Sequence, residues 1–145
     1  MIIPSICLSQ ANNPKCVTNL DKAFENYDDK NYNDAITLAT ECLLENPDNI
    51  KALTILSFSY FELEEYKMSL LMSNKWFLTA LENGTKEQQS LSTFFKGLNQ
   101  YHLGEGDHCN SWIAAVLVGG SYLTGTLESM SPKYLPLILD ECYSD

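Results

Sequence analysis

A chain of 145 residues, 45% apolar and 19% charged, is long enough for one domain with a substantial core. Nine basic residues, all lysine, oppose nineteen acidic ones, for a net charge of −10. Neutralising phosphate needs clustered Lys and Arg, so this balance argues against nucleic acid and against an anionic membrane surface, and for a basic or apolar protein partner.

Residues 1–18 contain two prolines and the pair Asn12-Asn13, and are expected to form an N-terminal arm, either extended or a short helix with a loop. Their apolar run lacks a basic start and is interrupted by Pro4, so no signal peptide is expected. From Leu20 the pattern turns helical, with Leu20, Ala23, Phe24 and Tyr27 on one face. Asp28-Asp29-Lys30-Asn31 makes a turn, Asn33 caps a second helix, and Asn46-Pro47 ends it. Leu53, Leu56, Tyr60 and Leu63 form a stripe on the third helix. Glu64-Glu65 is expected to start the fourth, and Asn83-Gly84 to close it. A fifth helix starts near Glu87, turns at Gly104-Glu105-Gly106, and is followed by a sixth carrying Trp112, Ile113, Val116 and Leu117. Gly119-Gly120 interrupts that pattern, and Leu135, Leu137, Ile138 and Leu139 mark a final helix.

Small residues recur twelve positions apart at Ala23/Ala35, Ser57/Ser69 and Gly97/Cys109. An aromatic follows the first of each pair by four, at Tyr27, Phe61 and Tyr101. In the first two copies Tyr32 and Tyr66 also precede the second small residue by three. The copies are spaced by 34 and then 40 residues, a period that marks helical hairpins packed through small side chains. The fold class expected is therefore all-α: a solenoid of three helical hairpins over residues 19–118, with a C-terminal capping helical segment over 119–145.

Asn31-Tyr32-Asn33-Asp34-Ala35-Ile36 followed by Cys42-Leu43-Leu44-Glu45-Asn46-Pro47 resembles the second helix of a tetratricopeptide repeat, and Glu65-Tyr66 with Ser69 repeats the theme. The resemblance runs from about Val17 to Val118. Trp76 and Val116 depart from it where the family prefers small residues. Lys22, Asn26, Lys96 and Gln100 depart from it where the family prefers apolar ones. The first helices of repeats 1 and 3 are therefore expected to be rotated or shifted by about a residue.

The resemblance implies a concave groove lined by the first helix of each repeat and holding a protein client. Its implied residues are Leu20, Phe24 and Tyr27 in repeat 1, Lys51, Thr54, Phe58, Phe61 and Glu62 in repeat 2, and Phe94, Leu98 and Tyr101 in repeat 3. Phe58 and Phe61 stand out because the apolar stripe of their helix is complete without them. With Lys51 alone on that face and no arginine, a clamp for C-terminal carboxylates is rejected. The small size, acidity and three repeats are similar in profile to the tetratricopeptide chaperones of bacterial type III secretion. A scaffold or assembly subunit of a larger complex is the alternative, and a metal-binding protein using the third hairpin turn is the alternative of another class.

The five cysteines, Cys7, Cys16, Cys42, Cys109 and Cys142, form no CxxC spacing and are expected as buried free thiols in a reducing compartment. With no apolar run of membrane-spanning length, a cytoplasmic protein is expected. His102, Glu105, Asp107, His108 and Cys109 gather donors around the third turn, but the alternating glycines suit a solvated loop. No nucleophile motif or phosphate loop is present, so the expectation is a non-enzymatic protein with no catalytic residue, no metal and no cofactor. Its partner is a protein client with an apolar or amphipathic segment, or a second copy of the chain.

Overall fold

Among the described residues, Pro14 opens the first helix. Its fixed φ suits the first helical position, where the missing N–H costs nothing, and Thr18 Oγ1 donates to its carbonyl at 3.0 Å. The computed structural model describes residues 14–143, and among them every regular element is a helix. They are α1 (Pro14–Asp28), α2 (Tyr32–Glu45), α3 (Ile50–Glu62), α4 (Tyr66–Asn83), α5 (Lys86–His102), α6 (His108–Met130) and α7 (Tyr134–Cys142). The all-α expectation holds. Residues 14–18 of the expected N-terminal segment are helical, as part of α1, and Cys16 is buried. Residues 1–13, including Cys7, lie outside the described residues.

The chain forms two compact units, Met1–Met72 and Ser73–Asp145. In unit 1, α1 packs on α2, α2 on α3, and α1 on α3. Its core joins Cys16, Leu20 and Ala23 of α1 to Ala35, Ala39 and Cys42 of α2 and to Ala52, Ile55 and Leu56 of α3. Ala23 and Ala35 are fully buried, as close helix approach through small side chains requires. In the second hairpin Ser57 and Ser69 are equally buried, and the Ser69 hydroxyl donates to the Ser57 carbonyl at 2.8 Å.

In unit 2, α5 packs on α6 and α6 on α7. Phe94, Leu98, Trp112, Leu123, Leu127 and Ile138 are all buried there, each worth about 1.5–3 kcal/mol on burial. Gly97 lies under the Trp112 indole, 2.5 Å from where a Cβ would sit, so only glycine fits without displacing the ring. Gly119 has the same relation to Ser90, whose hydroxyl donates to the Ala115 carbonyl at 2.8 Å. Gly120 leaves helical geometry (φ 51°, ψ −132°) and breaks α6 where the sequence pattern was interrupted. Thr85 and Gln88 cap α5 with reciprocal side-chain bonds.

The three hairpin turns share one backbone design. Lys30, Glu64 and Gly104 each follow the repeat aromatic by three and adopt left-handed φ values of 63°, 59° and 72°. Lys30 N–H donates to Tyr27 O and Asn31 N–H to Asn26 O. The same two bonds recur as Glu64 to Phe61 with Glu65 to Tyr60, and as Gly104 to Tyr101 with Glu105 to Gln100. This pairing satisfies carbonyls at the helix end and fixes the exit direction of the chain. Two expected starts are corrected. Asn31, not Asn33, precedes α2, and Glu64 belongs to the turn, so α4 begins at Tyr66.

The cysteines also differ from expectation. Four of the five form two disulfides, Cys16–Cys42 and Cys109–Cys142, with Cα atoms 4.8 and 5.3 Å apart. The first ties the start of α1 to the end of α2, and the second ties the start of α6 to the end of α7. Sequence separations of 26 and 33 residues hide these pairings from a local reading.

Candidate protein-binding surface

Unit 1 carries eight of the residues implied to face a client. Leu20 is corrected: at 4% exposure it belongs to the core with Cys16 and Ala23. Phe24, by contrast, is exposed. Tyr27 is half-buried, with its ring 5.5 Å from Tyr32 and 5.9 Å from Phe58, and its hydroxyl donates to Glu62 Oε1 at 3.4 Å. Phe58 and Phe61 both keep part of their surface in solvent, and Phe61 packs edge-on against Tyr66 at 5.5 Å. Lys51 and Glu62 are exposed. Lys51 borders a shallow depression shared with Val17, Leu20, Asp21, Asp48 and Ile50. The Thr54 hydroxyl is spent on its own helix, donating to Ile50 O at 2.8 Å.

Tyr32 and Tyr66 join this surface although neither was assigned to it from the sequence. Their repeat position, just past each turn, was the available signal. Burial raises both phenol pKa values above the ordinary tyrosine range, and Glu62 raises each further, with Glu64 also acting on Tyr66. Tyr60 is raised too, by burial first and then by Glu65. The rings therefore stand beside negative charge at both turns of unit 1.

Unit 2 holds the other three. Phe94 and Leu98 are corrected: at 0% and 1% exposure they are core. Phe94 packs edge-on against Phe95 and against Tyr134 of α7. Gln100 is buried on the same helix because the Ser111 hydroxyl donates to its Oε1 at 2.6 Å, so a polar residue takes up a core position. Tyr101 remains half-buried, with its ring 5.6 Å from Trp112 and 5.4 Å from His108. At the third turn, His102, Glu105 and Asp107 are exposed, while His108 and Cys109 meet Cys142 instead.

Exposed apolar residues that the repeat pattern did not point to include Leu44 and Leu117, at 79% and 80% exposure. Among the described residues, no helix is long and apolar enough to cross a membrane. The chain matches no family model, no curated protein and no solved structure.

Proposed function

We propose that this chain is a non-enzymatic protein-binding module of tetratricopeptide type that holds an apolar or amphipathic client segment. The observation that carries this reading is the partly exposed aromatic pairs Tyr27–Phe58 and Phe61–Tyr66, set beside Glu62 and Glu64 in unit 1. Aromatic side chains of this kind serve as anchors in interfaces, and a surrounding acidic rim selects the partner by charge. The buried small pairs and the recurring turn support the repeat assignment, and a solenoid of three repeats is part of the proposal.

Within this class, a small cytosolic chaperone of the type III secretion kind fits the acidity and size. Exposed Leu44 and Leu117 favour the second reading, a scaffold subunit or self-associating chain that covers more than one apolar face. A cytosolic location would keep both cysteine pairs reduced, whereas disulfides found in protein taken from its native cell would place it in an oxidising compartment.

The test is affinity purification from the native cell, followed by binding of the recovered partner to Phe58→Ala and Phe61→Ala. The expected result is a loss of about 2 kcal/mol or more of binding free energy with unchanged helical circular dichroism. Unfolding of either variant without any partner would mean that the rings are structural, and the proposal would fail.

A further inference from the structure

The second cysteine pair has chemical company. Cys109 and Cys142 are half-buried, and each follows a potential ligand in sequence, His108 at the start of α6 and Glu141 at the end of α7. His108, Cys109 and Cys142 place their donor atoms within 4.8 Å of one another. Glu141 Oε2 lies 3.7 Å from His108 Nε2.

The imidazole is oriented for a ligand. His108 Nδ1 lies 3.0 Å from the Glu105 carbonyl oxygen. A carbonyl only accepts, so Nδ1 carries the proton and Nε2 presents a lone pair in the neutral ring. That Nε2 atom is buried and has no hydrogen-bond partner. Trp112 and Tyr101 hold the ring edge-on, at 5.2 and 5.4 Å. An imidazole fixed through its far N–H to a backbone carbonyl is the arrangement that supports metal ligation. A disulfide makes no use of the buried lone pair, whereas a metal ion held between it and two thiolates would.

We propose that in its dithiol state this cluster binds one Zn²⁺ through Cys109, Cys142 and His108, with Glu141 as the fourth ligand. A dithiol reductant breaks the sulfur–sulfur bond by supplying two electrons and two protons, and is itself oxidised to a cyclic disulfide. Zn²⁺ then displaces the two thiol protons. Two thiolates and an imidazole favour zinc over magnesium or calcium, which take oxygen ligands. Zinc bonds of about 2.3 Å to sulfur and about 2.0 Å to nitrogen set donor atoms roughly 3.5 Å apart, so the cluster closes around the ion by a small movement. Zinc and the disulfide are mutually exclusive, and either one ties α7 to α6.

The experiment uses the full chain, reduced with a dithiol, desalted without oxygen, and titrated with Co²⁺ and then Zn²⁺. The expected result is one Co²⁺ per chain, with a thiolate-to-cobalt charge-transfer band and the visible bands of a tetrahedral site, displaced by one Zn²⁺ that also raises the melting temperature. His108→Ala should weaken affinity by at least about tenfold. Cys142→Ser should lose charge-transfer intensity, and Cys16→Ser with Cys42→Ser should keep it. Glu141 is 41% exposed, so Glu141→Gln gives a folded variant in which the visible bands shift and the thiolate band stays. The proposal is overturned by absent stoichiometric binding in the reduced chain, by a spectrum unaltered in Cys142→Ser, or by a Cys109–Cys142 bond that resists the dithiol until the chain unfolds.

Discussion

Cys16–Cys42 in unit 1 and Cys109–Cys142 in unit 2 close segments of similar length, with separations of 26 and 33 residues, yet their surroundings differ. Cys16 and Cys42 are 6% and 1% exposed and lie in the apolar core with Leu20 and Ala39. Asn49 Nδ2 approaches Cys16 Sγ at 3.7 Å, and the same Asn49 caps α3 through the Ala52 N–H. Cys109 and Cys142 keep surface in solvent and stand beside an imidazole and a carboxylate. Loop length alone assigns the two crosslinks nearly equal stabilisation of about 3–4 kcal/mol. Access and neighbouring charge are what separate a buried staple from a responsive site.

The largest effect tests that contrast directly. Replacing Cys16 and Cys42 together by alanine should cost the oxidised protein about 3 kcal/mol or more in denaturant unfolding, because packing is lost along with the crosslink. In the unaltered chain, a dithiol should open Cys109–Cys142 at least about ten times faster than Cys16–Cys42, read by alkylation and peptide mass spectrometry. Equal rates would erase the distinction between the pairs.

A smaller effect compares the turns. The same left-handed position is filled by Gly104 in unit 2 and by Lys30 and Glu64 in unit 1. Gly104→Ala should destabilise by about 1 kcal/mol, and Lys30→Gly should stabilise by up to about 1 kcal/mol, because a Cβ is unfavourable at that φ. Thermal unfolding of both variants checks the sign. A loss in both would show that the lysine side chain contributes more than its backbone costs.

The smallest effect concerns the tyrosines of unit 1. Raised phenol pKa values mean that the fold favours the neutral ring. Their contribution is therefore complete below the free phenol value of about 10 and is lost as pH rises through the folded values. Glu62→Gln should let Tyr32 and Tyr66 ionise at lower pH and leave Tyr60 unaltered, since Glu65 is its charged neighbour. Phenolate absorbance or tyrosine NMR shifts report the change. Lowered values for all three would point to loosened packing instead of lost charge.

The hairpins were legible because their signals are local. A small pair twelve residues apart and an aromatic before the turn fix Ala23 against Ala35 and place Lys30, Glu64 and Gly104 in one backbone state. The helix faces of repeats 1 and 3 were harder. Lys22 and Lys96 suggested a rotation or shift of about a residue, and the burial of Leu20, Phe94 and Leu98 depends on which neighbour covers them. Gln100 had the polarity of a surface residue, and its partner Ser111 lies on the next helix. The donor cluster was half visible. His108 and Cys109 were seen at the turn, while Glu141 and Cys142 arrive from the far end of α7, a meeting that only the tertiary structure brings about.

The shared turn has a consequence for how quickly the chain finds its structure. Each hairpin reverses direction within a few residues, so its helices meet across short stretches of sequence. Contacts of that kind lower the entropic barrier to folding and let a hairpin form while later residues are still being synthesised. Cys142 is synthesised 33 residues after Cys109, so the α5–α6 hairpin has time to close before the bond or the metal that fixes α7 can form.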